Sequence, residues 1–431
     1  MLHFVYSLCY RLALPFALLY LWWQTRRNNS RNENWQQRLG LVPQLEEPAI
    51  WVHAVSVGET IAAAPLVKAL LAKRPDVPVL VTAMTATGAA QARKLFGDQV
   101  RYAFAPFDTP GSVRRFVQRV RPRALIILET ELWPNLIVET HRRQCPIFLV
   151  NARLSDRSAQ RYRKIGGWIR SLLGRLEWIA AQAEEDADRF VDIGAPPASV
   201  SVTGSIKFDV VVTATAREQA HTLRESVGGR PVWIAASTHD GEDDQLLAAH
   251  ARILEHAPEA LLILVPRHPD RFEPVAALVR ERGFSCVRRS SGMPVGSAQV
   301  YLGDTMGELM PMFGAADVAF VGGSLIERGG HNPLEPAAWG LPVVTGPHVF
   351  NFETVYRQLD NGRGLVRIED DGALAEQVLC LLGHREQARE IGRSALAVVE
   401  ANRGALERVS DGILERLVPA GDAGAADNRR R

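Results

Sequence analysis

ALIILETELWPN, residues 124 to 135, sets a strand, its end and the approach to a helix in twelve residues. Five apolar residues without alternation describe a strand covered on both faces, the pattern of a parallel sheet. Glu129 and Glu131 then follow where that strand ends, and a helical pattern takes over.

The same alternation of apolar run and helical pattern repeats in both directions. Before it stand AIWVHAV (49–55), VPVLVTAM (77–84) and VRYAFAP (100–106); after it stand CPIFLVNA (145–152), WIAAQ (178–182) and VSVTGS (200–205). A polar stretch, 211–230, interrupts the series, which restarts with PVWIAAST (231–238), LLILVPRH (261–268), AQVYLGD (298–304), DVAFVGG (317–323) and LPVVTG (341–346). The expected fold is therefore α/β, with two doubly wound, Rossmann-like domains in tandem. Ligands of such sheets bind beyond the carboxyl ends of the strands, so the cleft that the two domains face is the expected site.

The expected boundaries are an anchor over 1–24, a first domain over 25–210, a second over 211–418 and a loose tail over 419–431. At 431 residues, 47% of them apolar and 23% charged, the chain is long enough for separate cores and is not a disordered sequence. Its four cysteines show no CxxC spacing, which suggests neither a zinc knuckle nor a disulfide framework.

Leu2 to Trp23 is apolar apart from His3 and Arg11, with Pro15 near its middle, and no small-residue cleavage site follows. Arg26, Arg27, Arg31 and Arg38 come directly after it, so an uncleaved anchor with the rest of the chain on the cytoplasmic face is expected. By length the helix can span a bilayer or lie flat in its interface. Residues 24–210 hold 26 Lys+Arg against 18 Asp+Glu, and 211–431 hold 23 against 30. The basic, anchored half suits a phosphorylated lipid, although a cluster such as RRFVQRVRPR (114–123) is equally consistent with an ordinary solvated surface.

Unusual residues collect at the strand ends. In HAVSVGET (53–60), Glu59 falls at a helix start, where it is either a general base or a first-turn carboxylate favoured by the helix dipole. Alternation places Glu129 and Glu131 on one face, where paired carboxylates raise one pKa or pair with a neighbouring Arg. Lys207 in TGSIKFD (203–209) offers a positive charge to a leaving phosphate or a substrate carboxylate. Arg267 and His268, between Pro266 and Pro269, are donors suited to a phosphate or a base. GDTMGEL (303–309) should begin a helix whose free N–H groups near Met306 and Gly307 receive an anion or a nucleobase oxygen, with Glu308 in its first turn; capping by Asp304 or Thr305 is the rival account. In GGSLIERGGHNPLEP (322–336) the Gly pairs admit a ligand close to the backbone. Asn332, Pro333 and Leu334 open a helix, and Glu335 is placed to accept ribose hydroxyls.

VSVGET, ETELWPN, NARLSDRS, TGSIKFD, PRHPDRF, DTMGEL and GGHNPLEP, in that order, resemble the Kdo transferases of lipopolysaccharide synthesis. The resemblance runs from the anchor to about residue 400. It implies the GT-B glycosyltransferase fold and transfer of 3-deoxy-D-manno-octulosonic acid (Kdo) from CMP-Kdo to a lipid A precursor, with inversion and without a metal or other cofactor. It also implies the cytoplasmic face of the inner membrane as the place of action, and no nucleic-acid partner. By the same resemblance Glu59 is the base, Glu129 and Lys207 steady the transition state, and CMP is held by Arg267, His268, Met306, Gly307, Glu308 and Asn332 to Glu335. Ser205 and Ile206 stand where Asn and Leu are expected, and Glu327 and Arg328 stand where apolar residues are usual. Two rivals remain, a GT-B transferase using a UDP-sugar in cell-envelope synthesis and a membrane-tethered nucleotide-binding module without turnover. Competition by CMP against UDP separates the first, and turnover the second.

Overall fold

The computed structural model describes residues 2–27 and 35–417; Arg31 of the basic flank and the 419–431 tail lie outside the described residues. The chain forms two compact units, one from residues up to Lys207 together with those from Arg403 onward, the other Phe208–Asn402.

The first unit is built on seven parallel strands, β1 (Ile50–His53), β2 (Val79–Ala83), β3 (Arg101–Phe104), β4 (Ala124–Leu128), β5 (Ile147–Ala152), β6 (Trp178–Ala181) and β7 (Val200–Val202), in the order β3-β2-β1-β4-β5-β6-β7. Strands β1, β2, β4, β5 and β6 are buried along their whole length, as their unbroken apolar runs require. Trp51 packs on Phe116 with ring centroids 4.7 Å apart, while its indole N–H donates to Thr82 Oγ1 at 2.9 Å, so a large side chain is buried without an unpaired polar atom. The order turns back between β1 and β4, which makes their carboxyl ends the switch point of this sheet.

The second unit repeats the plan with β8 (Val232–Thr238), β9 (Leu261–Pro266), β10 (Cys286–Arg288), β11 (Val300–Leu302), β12 (Val318–Val321), β13 (Val343–Thr345) and β14 (Leu365–Arg367), all parallel, in the order β10-β11-β9-β8-β12-β13-β14. Its switch point lies between β8 and β12. The two outermost strands, β10 and β14, escape a reading of apolar runs because each has three residues and is only partly covered, so neither carries the fully apolar signature.

Two boundaries differ from the sequence expectation. The last helix, Ala405–Arg416, belongs to the first unit: Ala405, Val409 and Ile413 are fully buried among Val67, Leu70, Phe148 and Trp178. An amphipathic stripe announces a helix that must be covered but does not say by which sheet. At the other end the N-terminal helix runs Leu2–Arg27, and Leu2–Leu19 is long and apolar enough to cross a membrane, with a mean hydropathy of 1.4.

Candidate functional site

In the first unit, Glu59 lies in the first turn of the helix Val57–Lys73 that follows β1. Ser56 caps this helix by accepting the Glu59 N–H at 3.2 Å. Its hydroxyl donates to Glu59 Oε1 at 2.9 Å, and the Val55 N–H donates to Oε2 at 2.8 Å. Ser56 thus caps the helix while the Glu59 carboxyl closes back on the residue before the cap, so a local structural role and a chemical one fall on the same side chain. Burial raises the Glu59 carboxyl above the ordinary Glu range; the hydrogen bonds from Val55 and Ser56 work against it, and the negative charges of Glu131 and Glu129 add to it.

Glu129 follows β4 directly and takes φ = 57°, the left-handed region that a non-glycine residue occupies only when its surroundings fix it. Its Oε1 lies 3.2 Å from Lys207 Nζ. Here the structure corrects the expectation that Glu129 and Glu131 share a face: β4 ends at Leu128, so alternation stops before either residue. Glu131 instead accepts the Trp133 indole N–H at 2.7 Å. The carboxyl that is raised is that of Glu59, across the switch point.

A residue the motif reading left unassigned holds Lys207 in place. Asn151, fully buried at the end of β5 with φ = 51°, accepts the Ser205 hydroxyl at 3.2 Å and the Ile206 N–H at 3.3 Å. The signal was available in NARLSDRS, since Asn is the side chain best suited to a left-handed position at a strand end. Arginines of 114–123 are partly engaged by the chain itself: Arg115, Arg119 and Arg121 donate to the carbonyls of Leu39, Val42 and Leu45 at 2.9, 3.0 and 2.7 Å.

In the second unit the predicted donor residues gather after β9, β11 and β12. Arg267 follows β9 and is half-buried, and its charge favours the ionised form of Glu335. His268 is exposed, with its ring edge-on to His239 at 5.5 Å. The helix after β11 starts only at Leu309, so Met306 and Gly307 sit in the preceding loop, both exposed, and Glu308 is the N-cap residue rather than a first-turn one. Pro311 falls inside that short helix, and Gly307, at φ = 87°, holds the chain in a turn just before it. Glu308 takes both ends of the Arg289 guanidinium, at 3.1 and 2.7 Å, and the Thr305 hydroxyl; these hold its carboxyl below the ordinary range. It also lines a cavity of about 360 Å³ with Arg289, Met293, Tyr301 and Met312. Asp304 does not cap the helix but accepts from Ser290 N–H (2.8 Å), Ser290 Oγ (2.6 Å) and Arg288 Nε (2.7 Å).

Asn332 Oδ1 accepts the Leu334 N–H at 3.1 Å and its amide donates to Glu335 Oε1 at 3.3 Å, so the turn Asn332-Pro333-Leu334-Glu335 is set by its own side chains. Burial raises the Glu335 carboxyl, opposed by Asn332 and the Arg267 charge. The glycines of this stretch correct a second expectation. A Cβ on Gly322 would stand 2.7 Å from Ser237 O and 2.9 Å from Glu242 Oε2, and one on Gly329 would stand 2.5 Å from the Phe350 ring. Both positions are closed by the chain's own packing rather than left open for a ligand.

Three groups at this switch point went unassigned in the sequence. Glu242, fully buried, accepts the N–H groups of Gly323 (2.7 Å), Ser324 (3.1 Å), Leu325 (3.1 Å) and His239 (3.3 Å). His239 and His331 meet through their Nε2 atoms at 2.7 Å, one ring donating and the other accepting. Burial, then the surrounding His and Arg charges, lowers them to about 4 and about 3, so both imidazoles are neutral at pH 7. Among the described residues no three His, Cys, Asp or Glu side chains converge as metal ligands.

Residues 33–210 match the family described as 3-deoxy-D-manno-octulosonic-acid transferase (kdotransferase). The 3-deoxy-D-manno-octulosonic acid transferase of Haemophilus influenzae is 40% identical over 95% of this chain and 98% of its own length. That of Bordetella pertussis is 38% identical over 96% and 99%. A glycosyltransferase structure from Rickettsia africae, 12% identical, superposes with a TM-score of 0.55 over 86% of this chain and 99% of that one, a likeness of fold.

Proposed function

The chain belongs to the 3-deoxy-D-manno-octulosonic acid transferase family, glycosyltransferases that move Kdo in lipopolysaccharide biosynthesis, and from that premise we propose that it takes the sugar from CMP-Kdo and passes it to a phosphorylated lipid A precursor at the cytoplasmic face of the inner membrane. The observation that carries the residue-level reading is the grouping of a raised carboxyl, Glu59, with the Lys207–Glu129 pair at one switch point. The acceptor hydroxyl gives its proton to Glu59 while its oxygen attacks the anomeric carbon. The bond to the phosphate oxygen breaks with its electron pair leaving on CMP, and the configuration inverts. Glu59 is suited to this because burial raises its pKa and so strengthens it as a base. Lys207, oriented by Glu129 and indirectly by Asn151, supplies positive charge to the acids of the donor.

Arg267, His268, Met306 to Glu308 and Asn332 to Glu335 form the CMP site in this reading, with Glu335 accepting the ribose hydroxyls. Glu335→Ala is expected to weaken CMP binding on the order of tenfold, the loss of one charge-assisted hydrogen-bond set. Titration calorimetry with CMP reads this directly, and unchanged affinity removes Glu335 from the ribose. Competition settles the nucleotide, because UDP displacing the donor as well as CMP does would favour a uridine-linked sugar instead.

A further inference from the structure

The helix Leu2–Arg27 does not stand away from the first unit. Its His3, Tyr6, Ser7 and Tyr10, spaced along one face, are partly or fully covered, and Leu2, Phe4, Val5, Leu8, Leu12, Phe16 and Leu19 on the other face are exposed. A helix that served only to reach lipid would have no use for a polar stripe turned toward the protein.

That stripe ends on a buried network. Tyr6 Oη donates to Asp108 Oδ2 at 2.9 Å, and Ser7 Oγ donates to Asn135 Oδ1 at 2.9 Å. Asp108 in turn accepts the N–H groups of Asn135 (3.1 Å) and Leu136 (2.7 Å), and its carbonyl accepts the Asn135 amide at 2.6 Å. Asp108 and Asn135 are almost wholly enclosed, and the Tyr6 ring lies 5.8 Å from that of Trp168. The helix Pro134–His141 has no cap from its own N-cap residue, Trp133, so Asp108 serves that purpose from another loop.

Asn135 is the last residue of ETELWPN, whose first is Glu129. The segment is pinned along its length: Glu129 to Lys207, the Thr130 hydroxyl to Arg153 O, Glu131 to the Trp133 indole, and the Trp133 ring against His53 at 4.7 Å. Its far end, Asn135, is held from the N-terminal helix. We propose that this helix is a positioning element as well as an anchor, in which Tyr6 and Ser7, acting on Asp108 and Asn135, hold the 129–135 loop so that Glu129 keeps Lys207 in its working place. The proposal rests on the catalytic reading of Glu129 and Lys207, and its test separates the two.

The test uses the full-length protein in detergent micelles containing the lipid acceptor, so that membrane attachment does not limit the rate. Ser7→Ala, Tyr6→Phe and the double variant are expected to lower kcat, the double on the order of tenfold, with KM for CMP-Kdo unchanged. Hydrogen exchange of the 129–136 amides should quicken in the same variants, and Ser7→Thr, which keeps the hydroxyl, should restore both. Leu12→Ser with Phe16→Ser, on the exposed face, should weaken flotation with anionic phospholipid vesicles and leave micellar kcat intact. Unaltered exchange and unaltered kcat in the double variant overturn the proposal. Faster exchange with unaltered kcat overturns the role given to Glu129, and the proposal with it, while leaving the hydrogen-bonded clamp.

Discussion

Glu59→Gln is expected to abolish Kdo transfer by about 10²- to 10⁴-fold while leaving the fold and CMP affinity as they are. The substitution isolates the proton because the cap itself runs from the Glu59 backbone N–H to Ser56 Oγ and does not involve the carboxyl, while the Gln side-chain oxygen can still accept from Val55 N–H. Loss of helix capping therefore does not accompany loss of basicity, and a fall in kcat at unchanged Tm reads the chemistry alone. A variant that turned over at the wild-type rate would remove Glu59 from its role and return it to the helix cap.

The pH profile carries the same claim with a definite sign. A base works only when deprotonated, so activity must fall as pH drops through the Glu59 pKa. Burial, reinforced by Glu131 and Glu129, raises that pKa, so the acid limb of kcat/KM lies above the ordinary Glu range of about 4.3. A limb at or below that value would show a solvated carboxylate that is not the base.

How much of this was legible beforehand follows from the physics of each element. Strands buried on both faces announce themselves, as β1, β2, β4, β5 and β6 do; the partly exposed edge strands β3 and β7 were read from shorter runs, and β10 and β14, three residues each and ending in Arg, were not. The placing of Glu59, Glu129 and Lys207 at strand ends was equally readable, because a doubly wound sheet puts ligands there. The partners were not. Glu129 pairs with Lys207 and Glu131 with the Trp133 indole because β4 ends at Leu128, before either residue, and nothing local in ETELWPN prescribes that end. Asn151, Asp108 and Glu242 act on segments tens of residues away along the chain, through contacts that only the packed sheet creates. The last helix crossed back to the first sheet for a similar reason, since amphipathicity names a face and not its cover.

Glu242 shows what such a remote partner is worth. Its side chain stands in the second unit beneath the Gly322–Leu325 turn, accepting three of that turn's N–H groups and one from His239. Glu242→Ala would leave these buried donors without an acceptor, at about 1–3 kcal/mol for each that water cannot reach. Partial relaxation makes a total of about 3–5 kcal/mol the reasonable expectation, comparable with removing one partner of a buried pair. Glu242→Gln should not rescue it, because the amide turns an N–H group toward donors and satisfies at most part of the set. Denaturant unfolding measures the loss, and CMP affinity should fall in step, since the His239–His331 contact and the start of the Asn332–Glu335 turn hang from the same loop. A Glu242→Ala protein with wild-type stability and CMP affinity would mean that the loop keeps its shape without the buried carboxylate, and the ordering of the donor half would then have to come from the Asn332 turn alone.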